Sequence, residues 1–256
     1  MNDPNLLKEM NDLLPTSTKQ LLFNPAANEV GKGVGAVCSI VFYPLIEFNI
    51  LEKKVLAHFT NKIASKIENI PKDELDFSKP GLALKALEES RYQLNEEILQ
   101  EIFSNLIAAG VNKNKNSDIT PRYATVLSQI GPEDAAFLQD LFSQKYHAFP
   151  ISKFRFSSFI GRNYRELPGI YFCNQNEEIK KLPERSVDVL QSLGIIQQEF
   201  NHTIVEEPFD NLYNLLDNYL MTKNKSKNID NNYLPKVIPG LIYPTTFGDH
   251  LLNCIF

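Results

Sequence analysis

The side chains able to carry catalysis are few and scattered. The four histidines, His58, His147, His202 and His250, fall in different segments, and no two stand three or four residues apart. A zinc or di-iron site built on helices needs such spacings, so no metal is expected. Cys38, Cys173 and Cys254 are odd in number and distant in the chain, which suits reduced cytosolic thiols better than a disulfide framework. Cys38 lies in an apolar run, where a thiol is buried and inert. The acidic pairs Glu96-Glu97 and Glu133-Asp134 stand at predicted helix starts, where the helix dipole accounts for them without catalysis. There is no GxSxG, HExxH or GxxxxGK[ST], and the glycines of GKGVG have no preceding strand to make them a nucleotide loop. No nucleophile–base pair can be nominated, so neither an enzyme nor a cofactor is expected.

Two stretches offer surfaces instead of reactive groups. From Leu141 to Arg165 no residue is acidic, and cations interleave with aromatics. Lys153, Arg155, Arg162 and Arg165 are the candidate nucleic-acid contacts, since cations with aromatics track phosphates and stack bases. The competing reading is an irregular or extended segment with aromatics inward and cations outward. The net charge of −5 and the lack of a specific nucleic-acid motif favour it. From Gly33 to Ile46 no residue is charged. Gly31, Gly35, Val37, Ile40, Phe42 and Leu45 mark a candidate membrane- or partner-binding helix. The run is shorter than the ~20 residues a membrane span needs, and Pro44 interrupts it. A buried helix or hairpin arm and a conditional membrane-surface segment are the readings that stand.

The elements that position these stretches read as mainly α. Glu96 and Glu97 open a helix whose stripe is Ile98, Leu99, Ile102, Phe103, Leu106 and Ile107, with Asn95 as its cap and Gly110 at its end. Pro121 starts a second helix over Tyr123, Val126, Leu127 and Ile130, and Pro132 a third. Short connections make the three pack together. Upstream, Asn5 to Leu14 form a short helix, and Ile50, Leu51, Val55, Leu56, Phe59, Ile63 and Ile67 line a long one that Pro71 ends. The polar KDELDFSKPG after it is placed to act as a hinge, and NKNKNSD at 112–118 reads as a solvated loop. Near the C-terminus come a helix from Pro183 stopped by Gly194, a strand at Ile195–Phe200, a helix at Phe209–Leu220, a strand at Val237–Tyr243 and a helix capped by Thr245. The expectation is a multi-helix core with a small C-terminal α+β winged-helix-like part. It divides into an N-terminal helical region (1–71), a central core (72–145) and the C-terminal part (146–256). A basic recognition helix is missing, because Glu184 to Leu193 carries Glu184 and Asp188.

The segments NEVGKGVGAV, IPKDEL, LNEEILQEIFSNLIAAG, TPRYATVLSQIGPEDA, LGII and TTFGDHLLNCI follow one another in an order that resembles the abortive infection alpha family. The resemblance runs from about Ala26 to Ile255. It rests on Phe103, Asn105, Leu106, Ile107 and Ala108, on Ile130 to Ala135, and on Thr245, Thr246, Phe247 and Gly248. Thr120 and Arg122 depart from the family's His and Ser at the Pro121 helix start. The resemblance implies a bacterial protein of phage defence, in which an infected cell stops growing or dies before phage release. It brings no catalytic residues. The N-terminus has no basic region before an apolar run, so no signal peptide is expected, and a cytoplasmic protein that meets membrane on activation is. The implied action is through a protein partner, self-association or peripheral membrane contact. The alternative is a nucleic-acid-binding regulator.

Overall fold

A computed structural model describes residues 51–158, 163–224, 227 and 233–256, together with Val34, Val37, Cys38, Val41, Phe42 and Leu45. The Asn5–Leu14 helix, Gly31, Gly35, Ile40 and Arg162 lie outside the described residues. The chain forms two compact units, Met1–Pro132 with Asn253–Phe256, and Glu133–Leu252.

The first unit is helical. α1 (Lys53–Glu68) buries Leu56, Phe59, Ile63 and Ile67 along one stripe. α2 (Pro80–Glu89) begins on its proline, whose missing N–H is an orphan in a first turn anyway. α3 (Glu97–Gly110) packs against both α1 and α2, and α4 (Pro121–Leu127) packs against α2. α3 is the centre of this unit. Besides Leu99, Ile102, Phe103, Leu106 and Ile107 it buries Gln100 and Ser104. Its cap residue is Glu96 rather than Asn95, and Val111 closes its end with an N–H to Ala108 O, so Gly110 is a helical residue. Thr120 caps α4 by accepting from the Arg122 N–H at 3.4 Å.

The connection after α1 is not placed to swing. Asp76 N–H donates to Val111 O at 2.9 Å and Lys113 N–H to Glu74 O at 2.7 Å, so it is stitched to the loop after α3. Asn116 of that loop is buried and donates to the Asp76 carboxylate at 2.8 Å. The predicted hinge and the predicted solvated loop therefore satisfy each other's polar groups.

The second unit corrects the fold class. It holds a five-stranded antiparallel sheet, so the protein is mixed α/β rather than mainly α with a small C-terminal part. After α5 (Pro132–Phe142) come β1 (Phe149–Ser158), β2 (Tyr164–Cys173), β3 (Ile179–Lys181) and α6 (Glu184–Ser192). β4 (Ile196–Phe200), α7 (Phe209–Asn224), β5 (Tyr233–Pro244) and α8 (Thr246–Ile255) complete it. The order is β3-β2-β1-β5-β4. The two strands expected near the C-terminus do pair, Ile196 opposite Pro244 through Phe200 opposite Gly240. The sequence reading misses the β1–β2 hairpin and β3, which make the sheet far larger than a wing. Pro150, Pro168, Pro235 and Pro239 all lie inside strands, where proline argues against a strand reading.

α7 lays Phe209, Leu212, Leu216 and Leu220 onto the sheet. Phe154, Phe156 and Leu220 form one core there, and Cys173, Leu212 and Leu216 another. On the opposite face, Phe137 of α5 meets Phe149 and Phe172 at ring distances of 5.6 and 6.2 Å. α6 ends with Gly194 at φ +74°, the left-handed conformation that glycine adopts without strain. Thr245 joins two motif segments: its hydroxyl donates to Gly194 O at 2.6 Å and accepts the Gly248 N–H at 2.9 Å, capping α8. A Cβ on Gly248 would fall 1.8 Å from Ile195 O, so this junction admits only glycine without moving backbone.

Candidate functional site

Strand alternation decides which of the candidate cations act together. Along β1 side chains point to opposite faces in turn, so Lys153, Arg155 and Ser157 share one face while Phe154 and Phe156 point to α7. Directly paired residues of an antiparallel ladder share a face. Glu166 and Lys236 flank Arg155, and Tyr164 and Leu234 flank Ser157. Arg165 is opposite Phe156, hence on the α7 face. The structure thus brings Lys153 and Arg155 together, places Arg165 on the other face, and leaves Arg162 outside the described residues. A break in register between Lys153 and Arg155, beside Pro168 and Gly169 (φ +103°), keeps Glu166 level with Arg155.

This face has a defined geometry. The Lys153 ammonium pairs with Glu166 at 2.9 Å and sits 4.2 Å from the centre of the Phe200 ring. The Arg155 guanidinium lies 5.0 Å from the centre of the Tyr164 ring. Tyr164 is 60% exposed and Leu234 50% exposed, so the outer half of the face meets solvent. The Arg155 Nε and Ser157 Oγ are buried without a hydrogen-bond partner. The result is two cation–aromatic stacks beside a donor left open, an arrangement suited to an acceptor-rich or planar group. Lys236, Glu166 and Phe200 were not among the candidates from sequence. The period of two in residues 149–157 is the signal that would have found the face.

The described residues of the apolar stretch are packed, not open. Val34, Val37, Cys38, Val41, Phe42 and Leu45 are helical and buried, at spacings that form one stripe. Of the candidate residues these include Val37, Phe42 and Leu45. Phe42 meets Phe59 of α1 edge to face, with ring centres 6.2 Å apart. No helix among the described residues is long and apolar enough to cross a membrane.

Several other titratable groups are engaged in ion pairs. Lys62 of α1 pairs with Glu97 and Glu101 of α3, and Lys66 pairs with Glu101. The Lys62 ammonium holds the Glu97 carboxyl below its usual range, so Glu97 both opens α3 and ties it to α1. Burial pushes the thiols of Cys38 and Cys173 up to about 11, which leaves them protonated and weakly nucleophilic at neutral pH. His147 meets Asp249 at 3.0 Å and His202 meets Glu199 at 2.6 Å. Among the described residues no group of three or more His, Cys, Asp or Glu is placed to hold a metal ion.

The residues that carried the family resemblance have structural work of this kind. Asn105 donates to Ile255 O at 2.7 Å, and Thr245 holds Gly194. Comparison with curated proteins and with solved structures finds no match. The abortive infection alpha profile matches residues 51–255, most of the chain and all of the sheet, and leaves the NEVGKGVGAV segment outside the matched span. On that match, the chain belongs to the abortive infection alpha family.

Proposed function

We propose that this protein serves phage defence by abortive infection, acting from the cytoplasm through interaction and without catalysis of its own. The family supports the biological role. The observation that carries the mode of action is the buried stripe from Val34 to Leu45, docked on α1 through Phe42 and Phe59. Such a stripe is hidden while docked and becomes an apolar face when released. A membrane surface accepts a helix of that kind. The trigger is infection, and release commits the cell to arrest. The test follows plaque formation and growth after infection, together with dye release from anionic liposomes by purified protein. Deleting residues 28–51 abolishes both protection and liposome contact if this reading holds. Full protection by a deletion variant whose remaining core is folded would overturn it.

A second reading is favoured by the cation–aromatic stacks around Arg155. In it the open sheet face binds single-stranded nucleic acid, with Lys153, Arg155 and Lys236 meeting phosphates and Tyr164 stacking a base. Salt-dependent binding supports it, and absence of binding at low salt removes it.

A further inference from the structure

The open half of the sheet holds two cations that the fold leaves facing each other. Arg155 of β1 stands directly opposite Lys236 of β5. Residues paired in this way hold their Cβ atoms about 5 Å apart, and like charges so placed destabilise a sheet. The acid on the other side of Arg155 is Glu166, which is committed to Lys153 at 2.9 Å. Neither Arg155 nor Lys236 forms an ion pair among the described residues. Lys236 is exposed, and the Arg155 Nε is buried without a hydrogen-bond partner. A buried donor of a charged group costs more, left without an acceptor, than a neutral one does. An anion set between the two cations removes both penalties.

The next row of the sheet narrows the anion. Ser157 lies one step along β1 on the same face, about 7 Å from Arg155. Tyr164 flanks it on one side and Leu234 on the other. The Ser157 hydroxyl is a second buried atom without a partner. Two strand spacings separate Tyr164 from Leu234 by about 10 Å, and only the small serine stands between them, so one planar ring can enter beside the tyrosine. The Tyr164 hydroxyl has no partner among the described residues, and an exposed ring changes rotamer within nanoseconds, so it can turn aside to admit a ligand to Arg155 and Ser157. A ligand with a phosphate at one row and a planar ring one sugar away answers both. A bare phosphate leaves Tyr164 and Ser157 unused. A long strand needs further cations and rings, and the row on the other side of Arg155 offers neither. There Lys153 is neutralised by Glu166, and its partner Ile238 is buried.

We infer that Arg155, Lys236, Ser157 and Tyr164 form a binding site for a single nucleotide. Its phosphate lies between Arg155 and Lys236, its base stacks on Tyr164 beside Leu234, and Ser157 meets a polar group of the ribose. The site rests on the same open face as the nucleic-acid reading and differs from it in the ligand, one nucleotide instead of a strand.

The test is calorimetric titration of the full chain with adenosine 5′-diphosphate at low salt. Binding saturates at one site. Arg155→Met weakens it by about tenfold or more, the effect of losing a charge-assisted hydrogen bond. Tyr164→Ala weakens it by about tenfold, and Tyr164→Phe, which keeps the ring, leaves it intact. Arg165→Met removes the same charge from the α7 face and does not change affinity. Circular dichroism of each variant confirms that its fold is retained. Equal loss in Arg155→Met and Arg165→Met, inorganic phosphate binding as tightly as the nucleotide, or no saturable binding would overturn the inference. A short single-stranded oligonucleotide separates it from the nucleic-acid reading. Binding of the strand without binding of the nucleotide leaves that reading standing and removes this one, and binding of neither removes both.

Discussion

The two faces of the sheet take alternate residues of β1. On one face Phe154 and Phe156 meet Leu220 of α7, with Val237 and Tyr171 packed around them. On the other, Lys153, Arg155 and Ser157 lie among Tyr164, Glu166, Lys236 and Leu234. The first face is closed by apolar contact. The second keeps charge, exposed aromatic surface and an unpartnered guanidinium nitrogen. A one-residue shift of register would exchange them, so the pairing of β1 with β5 fixes what each face can do. The segment is neither a uniform basic track nor a uniform core. Its cations are sorted, and the sorting separates Arg155 from Arg165.

The contrast is open to attack, beginning where the effect is largest. Phe154→Ala removes a buried ring from the α7 face and costs about 3–5 kcal/mol in urea unfolding. Arg155→Met, one residue away, changes stability by less than about 1 kcal/mol, because the Nε it removes has no partner to lose. Similar costs for the two variants would mean that the faces are not distinct. Gly240→Ala tests the pairing itself. The added Cβ would lie 2.3 Å from Glu199 O, so β4 must move away from β5, at about 1–3 kcal/mol and with faster amide exchange in β4. An unchanged protection pattern would contradict the close approach.

Charge reversal sharpens the comparison at the level of binding. If the open face meets nucleic acid, Arg155→Glu and Lys236→Glu each weaken binding and lower the salt slope by about 1. Arg165→Glu, on the α7 face, leaves both unchanged. Equal loss at all three positions would favour a diffuse attraction over a faced site. The smallest effect lies away from the sheet. The Ser78 hydroxyl and N–H, with Asn116, hold the Asp76 carboxyl down to about 2. An unfolded aspartate titrates near ~3.9. The contribution of Asp76 is therefore present above that pH and is lost as pH falls through about 2. Carboxyl-carbon NMR should find the Asp76 midpoint near about 2, and Asp76→Asn should raise the pH at which acid unfolding begins. A midpoint at the ordinary aspartate value would mean that the connection after α1 is not stitched to the loop.

Much of the helical architecture is legible because its signals are local. Leu99, Ile102, Phe103 and Leu106 recur at helical spacing, Pro121 starts a helix, and Gly194 and Thr245 bound two more. Each follows from one turn of backbone and its own side chains. The hairpin is not legible in this way. Its alternation is broken by Pro150 and Pro168, and the partners of β1 lie in β2 and in β5 far along the chain. Asn116 misled for a related reason. In a run of Asn, Lys and Ser it reads as solvated, and only its bond to Asp76 shows that it is buried.

The sequence by itself determined most of the helices, the Thr245 cap and the set of side chains available for function. It also determined the family, through short segments whose residues hold junctions such as Thr245 to Gly194. The tertiary structure decided which cations share a face, where Arg155 Nε and Ser157 Oγ are left without a partner, and that the polar connection after α1 is fixed. Periodicity within a helix is set by contacts a few residues apart. Strand register, groove lining and polar pairing depend on residues brought together from distant parts of the chain, and only the folded pairing of β1 with β2 and β5 specifies them.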